Sequence, residues 1–210
     1  MKYSKQIVSF LSLLFLCASS LIADVAIDAN TFGSIEARDI GPATMSGRIM
    51  AIEGVESDPR IIYVGSASGG LWKSINGGVK FKPVFDKYAM SISAIAIDQA
   101  RPDTVWVGTG ETCVRNSVTV GTGLYKTTDG GDNWVLVGFK DSERISKIVI
   151  DPTNSDVVYV GVLGHLWNDH PERGVYKTTD GGKTWTQLLY ADTRTGCADL
   201  VMDPKNSSTL

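Results

Sequence analysis

The chain has 210 residues, 43% of them hydrophobic and 20% charged, with a formal charge of −3. That much apolar surface suits an ordered globular domain rather than a disordered tail. With no Lys/Arg cluster anywhere and no second long apolar run, the sequence argues against a nucleic-acid partner, an anionic membrane surface or a transmembrane domain in the mature chain.

In chain order, the N-terminus reads as an export signal. Lys2 and Lys5 precede an apolar run from Ile7 to Leu16, followed by the small residues Ala18, Ser19 and Ser20. The pattern predicts a signal peptide over residues 1–23, cleaved after Ser20 or Ala23, and a secreted or periplasmic product. Leu16 is too bulky before Cys17 for that cysteine to be a good lipid site. Of the remaining cysteines, Cys113 and Cys197, an oxidising compartment permits pairing without requiring it. Residues 24–47 form a lead-in, where Gly41-Pro42 and Ser46-Gly47 predict a tight entry into the first strand.

From residue 48 onward the chain repeats. Leu71-Trp-Lys-Ser-Ile-Asn-Gly-Gly-Val-Lys-Phe81 returns as Leu124-Tyr-Lys-Thr-Thr-Asp-Gly-Gly-Asp-Asn-Trp134 and Val175-Tyr-Lys-Thr-Thr-Asp-Gly-Gly-Lys-Thr-Trp185. Two further series keep the same period: Ile62-Tyr-Val-Gly65, Val105-Trp-Val-Gly108 and Val158-Tyr-Val-Gly161, then Ile95-Ala-Ile-Asp98, Ile148-Val-Ile-Asp151 and Leu200-Val-Met-Asp203. Each repeat reads as four short strands of β-branched and aromatic residues separated by turn residues. A four-stranded antiparallel unit repeated every ~50 residues is a propeller blade. The expected fold is therefore all-β: an incomplete propeller over residues 48–210, with three blades and the first strand of a fourth. Breaking off in mid-blade, the sequence reads as a fragment of a longer chain.

The stretches ending in Trp134 and Trp185 match the Asp-box, S/T-x-D-x-G-x-T-W, found in bacterial neuraminidase repeats; Asn76 and Phe81 mark a weaker copy. Asp129, Asp180 and Asn76 are expected to hold turns by accepting backbone amides, with Phe81, Trp134 and Trp185 covering them. A catalytic carboxylate on every blade would not assemble one hydrolytic site, which needs two differently tuned groups together. The Asp-Pro turns at Asp58, Asp151 and Asp203 read the same way.

Four strands per blade place these turns on one face. The strand two-to-three loops and the links between blades then share the other, where function tends to sit. On that face Glu111, Arg115, His165, Trp167 and Arg173 are candidate ligand contacts, and Arg48 joins them if it points into the channel. His165 and His170 are spaced for two metal ligands, but no recognisable zinc motif accompanies them, so no metal and no cofactor are expected. Each candidate has a plain counterpart: a hydrogen-bonded loop for the histidines, packing for Trp167 and an ion pair for Glu111 and Arg115.

The combination Ile40-Gly-Pro-Ala-Thr-Met-Ser-Gly-Arg48, Tyr63-Val-Gly-Ser-Ala-Ser-Gly-Gly-Leu-Trp72, Gly108-Thr-Gly-Glu111 and Gly164-His-Leu-Trp167 resembles large secreted bacterial proteins with sortilin-like, BNR-repeat propellers. Many of these are labelled glycosyl hydrolase. The likeness to sortilin implies recognition of a protein, peptide or glycan through the loop-bearing face, which is the first expectation. The likeness to xyloglucan-cleaving propellers implies the alternative, a glucanase-like or sialidase-like hydrolase completed by residues beyond Leu210. In those endoglucanases an essential Asp occupies a segment matching Tyr63 to Gly70, where this chain has Ala67, a residue that can neither activate water nor donate a proton.

Overall fold

The computed structural model describes residues 48–210, so the expected signal peptide and lead-in lie outside the described residues. Among the described residues, three four-stranded antiparallel sheets follow one another along the chain. The first contains β1 (Ile49–Val55), β2 (Asp58–Ser66), β3 (Gly70–Ser74) and β4 (Phe81–Pro83). The second contains β5 (Ile92–Ile97), β6 (Val105–Thr109), β7 (Leu124–Thr127) and β8 (Val135–Gly138). The third contains β9 (Ile145–Asp151), β10 (Asn154–Val162), β11 (Gly174–Thr178) and β12 (Thr186–Leu189). In every sheet the strands lie in chain order, and the first strands β1, β5 and β9 are neighbours across the sheets. The result is an all-β, propeller-like row of blades.

The core lies between blades rather than within them. Tyr63, Leu71 and Phe85 of the first blade interlock with Ile92, Val105 and Tyr125 of the second. Trp106, Leu124 and Phe139 then meet Ile145, Val158 and Val160 of the third. Both seams use the same aromatic joint. Phe85 meets the rings of Tyr125 and Trp134 edge-on at 5.1 and 5.2 Å, and Phe139 meets Tyr176 and Trp185 at 4.8 and 5.1 Å. Burial follows the neighbour: Ile92 and Ile145 are fully buried under a preceding blade, whereas Ile49, at the same register position in β1, is 52% exposed.

The glycine of the Val-Gly series sets the spacing. A β-carbon on Gly65 would lie 2.5 Å from Ile92 Cγ2, one on Gly108 2.7 Å from Ile145 Cγ2, and one on Gly161 3.0 Å from Cys197 Sγ. Gly65 and Gly108 are thus the gaps into which the next blade's first residue packs, and Gly161 offers the same gap to Cys197.

The double-glycine turns are held from inside. Asp129 Oδ1 accepts Thr127 Oγ1–H (2.6 Å) and Asn133 N–H (2.9 Å), and Asp180 Oδ1 accepts Thr178 Oγ1–H (2.7 Å) and Thr184 N–H (2.9 Å). Asn76 Oδ1 does the same with Ser74 Oγ–H and Lys80 N–H. The hydroxyl and amide donors hold both aspartates well below the ordinary carboxylate range. The first glycine of each turn has φ near +70°, a left-handed angle that a side chain resists. The indoles reach further than covering their own turns: Trp134 Nε1–H donates to Val84 O and Trp185 Nε1–H to Val137 O, both at 2.8 Å in the preceding blade. In the opposite direction, Lys73 Nζ donates to Gly130 O and Lys126 Nζ to Gly181 O, at 2.7 and 2.9 Å.

Leu200 to Asp203, expected as the first strand of a fourth blade, form no strand. The turn is present, as an Asp203–Asn206 bridge with Asp203 Oδ1 accepting Lys205 N–H at 2.8 Å. In the third blade, β9 is held by residues 158–162 of β10, and residues 207–210 supply no such ladder.

Overpacking the seam gives a direct check. Gly108→Ala is expected to destabilise the fold by about 1–3 kcal/mol, read as a lower thermal midpoint. Gly54→Ala, whose β-carbon would have 3.9 Å to its nearest neighbour, should leave the midpoint almost unchanged.

Candidate functional site

Backbone bonds separate the two faces. The double-glycine turns bond to the start of the second strand or the turn before it, through Gly77 N–H to Arg60 O, Gly130 N–H to Asp103 O and Gly181 N–H to Asp156 O. On the other face the strand two-to-three loops bond to the links between blades, through Gly70 N–H to Met90 O, Gly110 N–H to Ser91 O and Leu163 N–H to Arg144 O.

On this second face Glu111, Arg48 and Arg115 come together. Glu111 is 1% exposed; its Oε1 is ion-paired with Arg48 and lies 3.3 Å from Arg115 Nε, while Oε2 accepts Thr119 N–H at 3.1 Å. A buried carboxylate held by two guanidinium groups and an amide organises its loop.

The blade-three loop is built around its histidines. His165 and His170 stack with ring centroids 4.0 Å apart. His165 Nε2–H donates to Asp141 O at 2.7 Å, and the same nitrogen lies 3.9 Å from Glu143 Oε1. Two buried arginines grip the loop backbone: Arg144 donates to Gly164 O and His165 O, and Arg173 to Leu163 O, His165 O and Asn168 O. Burial, then the neighbouring His165 charge, pushes His170 below the ordinary imidazole value. Burial also lowers Arg144, helped by the charge of Arg173. Among the described residues no group of three or more His, Cys, Asp or Glu is arranged to hold a metal ion.

Between these two loops lies a cavity of about 130 Å³, lined by Arg115 and Asn116 of blade two, Glu143 and Arg144 of the blade link, and Leu166 and Trp167 of blade three. Trp167 stands on its rim, 86% exposed. Glu143 takes a left-handed backbone angle, φ +60°, and its Oε2 accepts Leu166 N–H at 3.1 Å. Of the residues singled out from sequence, Arg115 and Trp167 line the cavity, Glu111 and Arg48 buttress Arg115, and His165 and Arg173 shape the loop behind it. Asn116, Glu143 and Arg144 were not foreseen as site residues, although the link carrying Glu143 and Arg144 belongs to the loop-bearing face.

The permitted disulfide does not form, and Cys113 and Cys197 are both free. Cys113 sits on the exposed blade-two loop, whereas Cys197 packs over Gly161 at the seam, where burial raises its thiol pKa.

No family model matches the chain. It is similar to a probable oligoxyloglucan-reducing end-specific xyloglucanase of Neosartorya fischeri, 30% identical over 99 residues that make up 45% of this chain and 10% of that protein. It is also similar to a xyloglucanase of a Paenibacillus species, 24% identical over 148 residues, or 63% of this chain and 14% of the relative. The match thus spans a small part of either enzyme. Among solved structures, an ancestral GH74 enzyme superposes with a TM-score of 0.55 at 23% identity, covering 72% of this chain and 20% of that one. The GH74 enzyme of Niastella koreensis gives 0.53 at 20% identity, covering 69% and 23%. These structures show the shared fold: multi-sheet, all-β and propeller-like.

The histidine stack makes stability pH-dependent. Because His170 titrates below its unfolded value of 6.5, the folded state binds fewer protons than the unfolded chain between the two values. The stability is full above 6.5 and is lost as pH falls through that value toward the folded pKa. The neighbours setting this balance are His165, Glu172, Arg173 and Glu143. Thermal melts between roughly pH 7 and 5 should show a falling midpoint, with a shallower fall in His170→Gln. An identical slope in the variant would discount this origin.

Proposed function

We propose that this chain is part of an extracytoplasmic, carbohydrate-active propeller, a glycoside hydrolase of β-glucans of the xyloglucan kind, and that its described loops supply a substrate-binding subsite. The observation that carries the reading is Trp167, a large aromatic left 86% exposed at the rim of a cavity of mixed polar and apolar lining. An exposed indole offers a flat apolar surface to the C–H face of a sugar ring, while flanking guanidinium and amide groups bond its hydroxyls. The xyloglucanase names of the two curated relatives support a glycan over a protein or peptide as the ligand.

Within this reading the described loops bind rather than cleave. Glu111 is committed to Arg48 and Arg115, Glu143 to Leu166 N–H, and Ala67 stands where the endoglucanase-like segment carries its Asp. A glycosidase uses a pair of carboxylates flanking the bond it breaks, and the pair would come from residues other than these.

The full-length protein should bind xyloglucan oligosaccharides, and Trp167→Ala should weaken that binding by roughly tenfold with an unchanged thermal midpoint. Calorimetric titration reads the first and a thermal melt the second. Unaltered affinity in the variant would overturn the assignment of Trp167.

A further inference from the structure

Arg144 and Arg173 are 5% and 6% exposed, and a guanidinium so deeply buried is ordinarily matched by a carboxylate. Here neither is. Arg144 donates from Nε to Gly164 O (2.9 Å) and from Nη2 to His165 O (2.7 Å), and all three acceptors of Arg173 are carbonyls as well. The two side chains share His165 O, which brings like charges together. Arg173 accordingly acts on Arg144 more strongly than Glu143 does, and in the opposite sense. Glu143, the carboxylate of the cavity wall, is turned to Leu166 N–H. Arg115, also lining the cavity, shares Glu111 with Arg48, so that group too holds two cations for one anion.

Positive charge therefore exceeds what the described carboxylates bond, and Arg144 and Arg115 bring it to the wall of one small cavity. Arg144 has two of its donors committed to carbonyls, leaving others for a ligand. We propose that this cavity takes a carboxylate, so that the glycan bound on the loop-bearing face is an acidic one carrying a uronic acid. This rests on the glycan reading above and narrows it. Planar guanidinium groups match a carboxylate in a forked geometry that a hydroxymethyl group does not reproduce. At about 130 Å³ the space suits one pendant group, with the sugar chain running outside past Trp167.

The test compares three probes on the full-length protein by calorimetry: a glucuronic-acid-bearing oligosaccharide, the same oligosaccharide with its carboxyl reduced to a hydroxymethyl, and a neutral xyloglucan oligosaccharide. The acidic probe should bind at least about tenfold more tightly than its reduced form, with the preference shrinking as salt is raised. Arg144→Gln should remove the preference, so that the acidic and reduced probes bind alike, and Arg144→Lys should keep part of it. If Arg144→Gln does not fold, the reduced-against-acidic comparison on the unmodified protein decides alone. Equal, Trp167-dependent binding of all three probes would overturn the acidic assignment and leave the glycan reading standing. Binding of none would overturn both. Preference for a glutamate-rich peptide over every sugar would place the carboxylate on a protein and overturn the glycan class.

Discussion

Everything in this molecule depends on how closely one sheet approaches the next. Gly65 and Gly108 leave room for the first residue of the following blade, Ile92 or Ile145, to sit directly on the backbone. A methyl group at these positions would push the sheets apart. At this spacing the Phe85 and Phe139 joints close edge-on, and the lysine and tryptophan bonds cross each seam at ordinary hydrogen-bond distances. The same spacing lets Gly121 N–H reach Glu143 O from one blade's loop to the next link, and that contact adjoins the cavity.

The two faces use polar groups differently. On the turn face, Asp129 and Asp180 satisfy local donors and carry no requirement beyond the turn. On the loop face, charged groups reach across long stretches of chain: Arg48 to Glu111, Arg144 to the blade-three loop, Arg194 to Asp169. Arginines gripping carbonyls make that loop a rigid support, which reduces the ordering a ligand must impose. Trp167 is presented from this support to solvent.

Much of the scaffold was legible because a period of about 50 residues repeats the same physical problem. The alternating apolar residues, the turns at Asp151 and Asp203 and the double glycines recur where the structure places strands and turns, whereas Asp58-Pro59 opens β2 instead of forming a turn, and the division into two faces follows from counting strands. The site was legible in part. Arg115 and Trp167 stand out as long side chains in extended loops, but Arg48 and Glu111 are 63 residues apart and meet only through the seam. The stacking of His165 on His170 depends on how the loop folds back over Arg144 and Arg173, for which the sequence carries no periodic signal. Cys113 and Cys197 share a face, yet one lies on an exposed loop and the other at the seam, a difference that strand counting does not resolve. Leu200 to Asp203 repeat the strand pattern faithfully and still form none, because a strand exists through its partner.

The crossed bonds at each seam have a mechanical meaning. A lysine points forward along the chain and an indole points back, so adjacent blades are laced in both directions while non-adjacent blades share no such tie among the described residues. In a stack coupled only to its neighbours, load applied along the chain is borne by one seam at a time. Tension would therefore peel whole blades in sequence, each releasing its aromatic joint as a unit, instead of fraying strands singly. During synthesis the same lacing runs in reverse. Lys126 is displayed before Gly181 exists to receive it, and Trp185 follows to close the clasp on Val137, so the described blades would be assembled like a zip from the first.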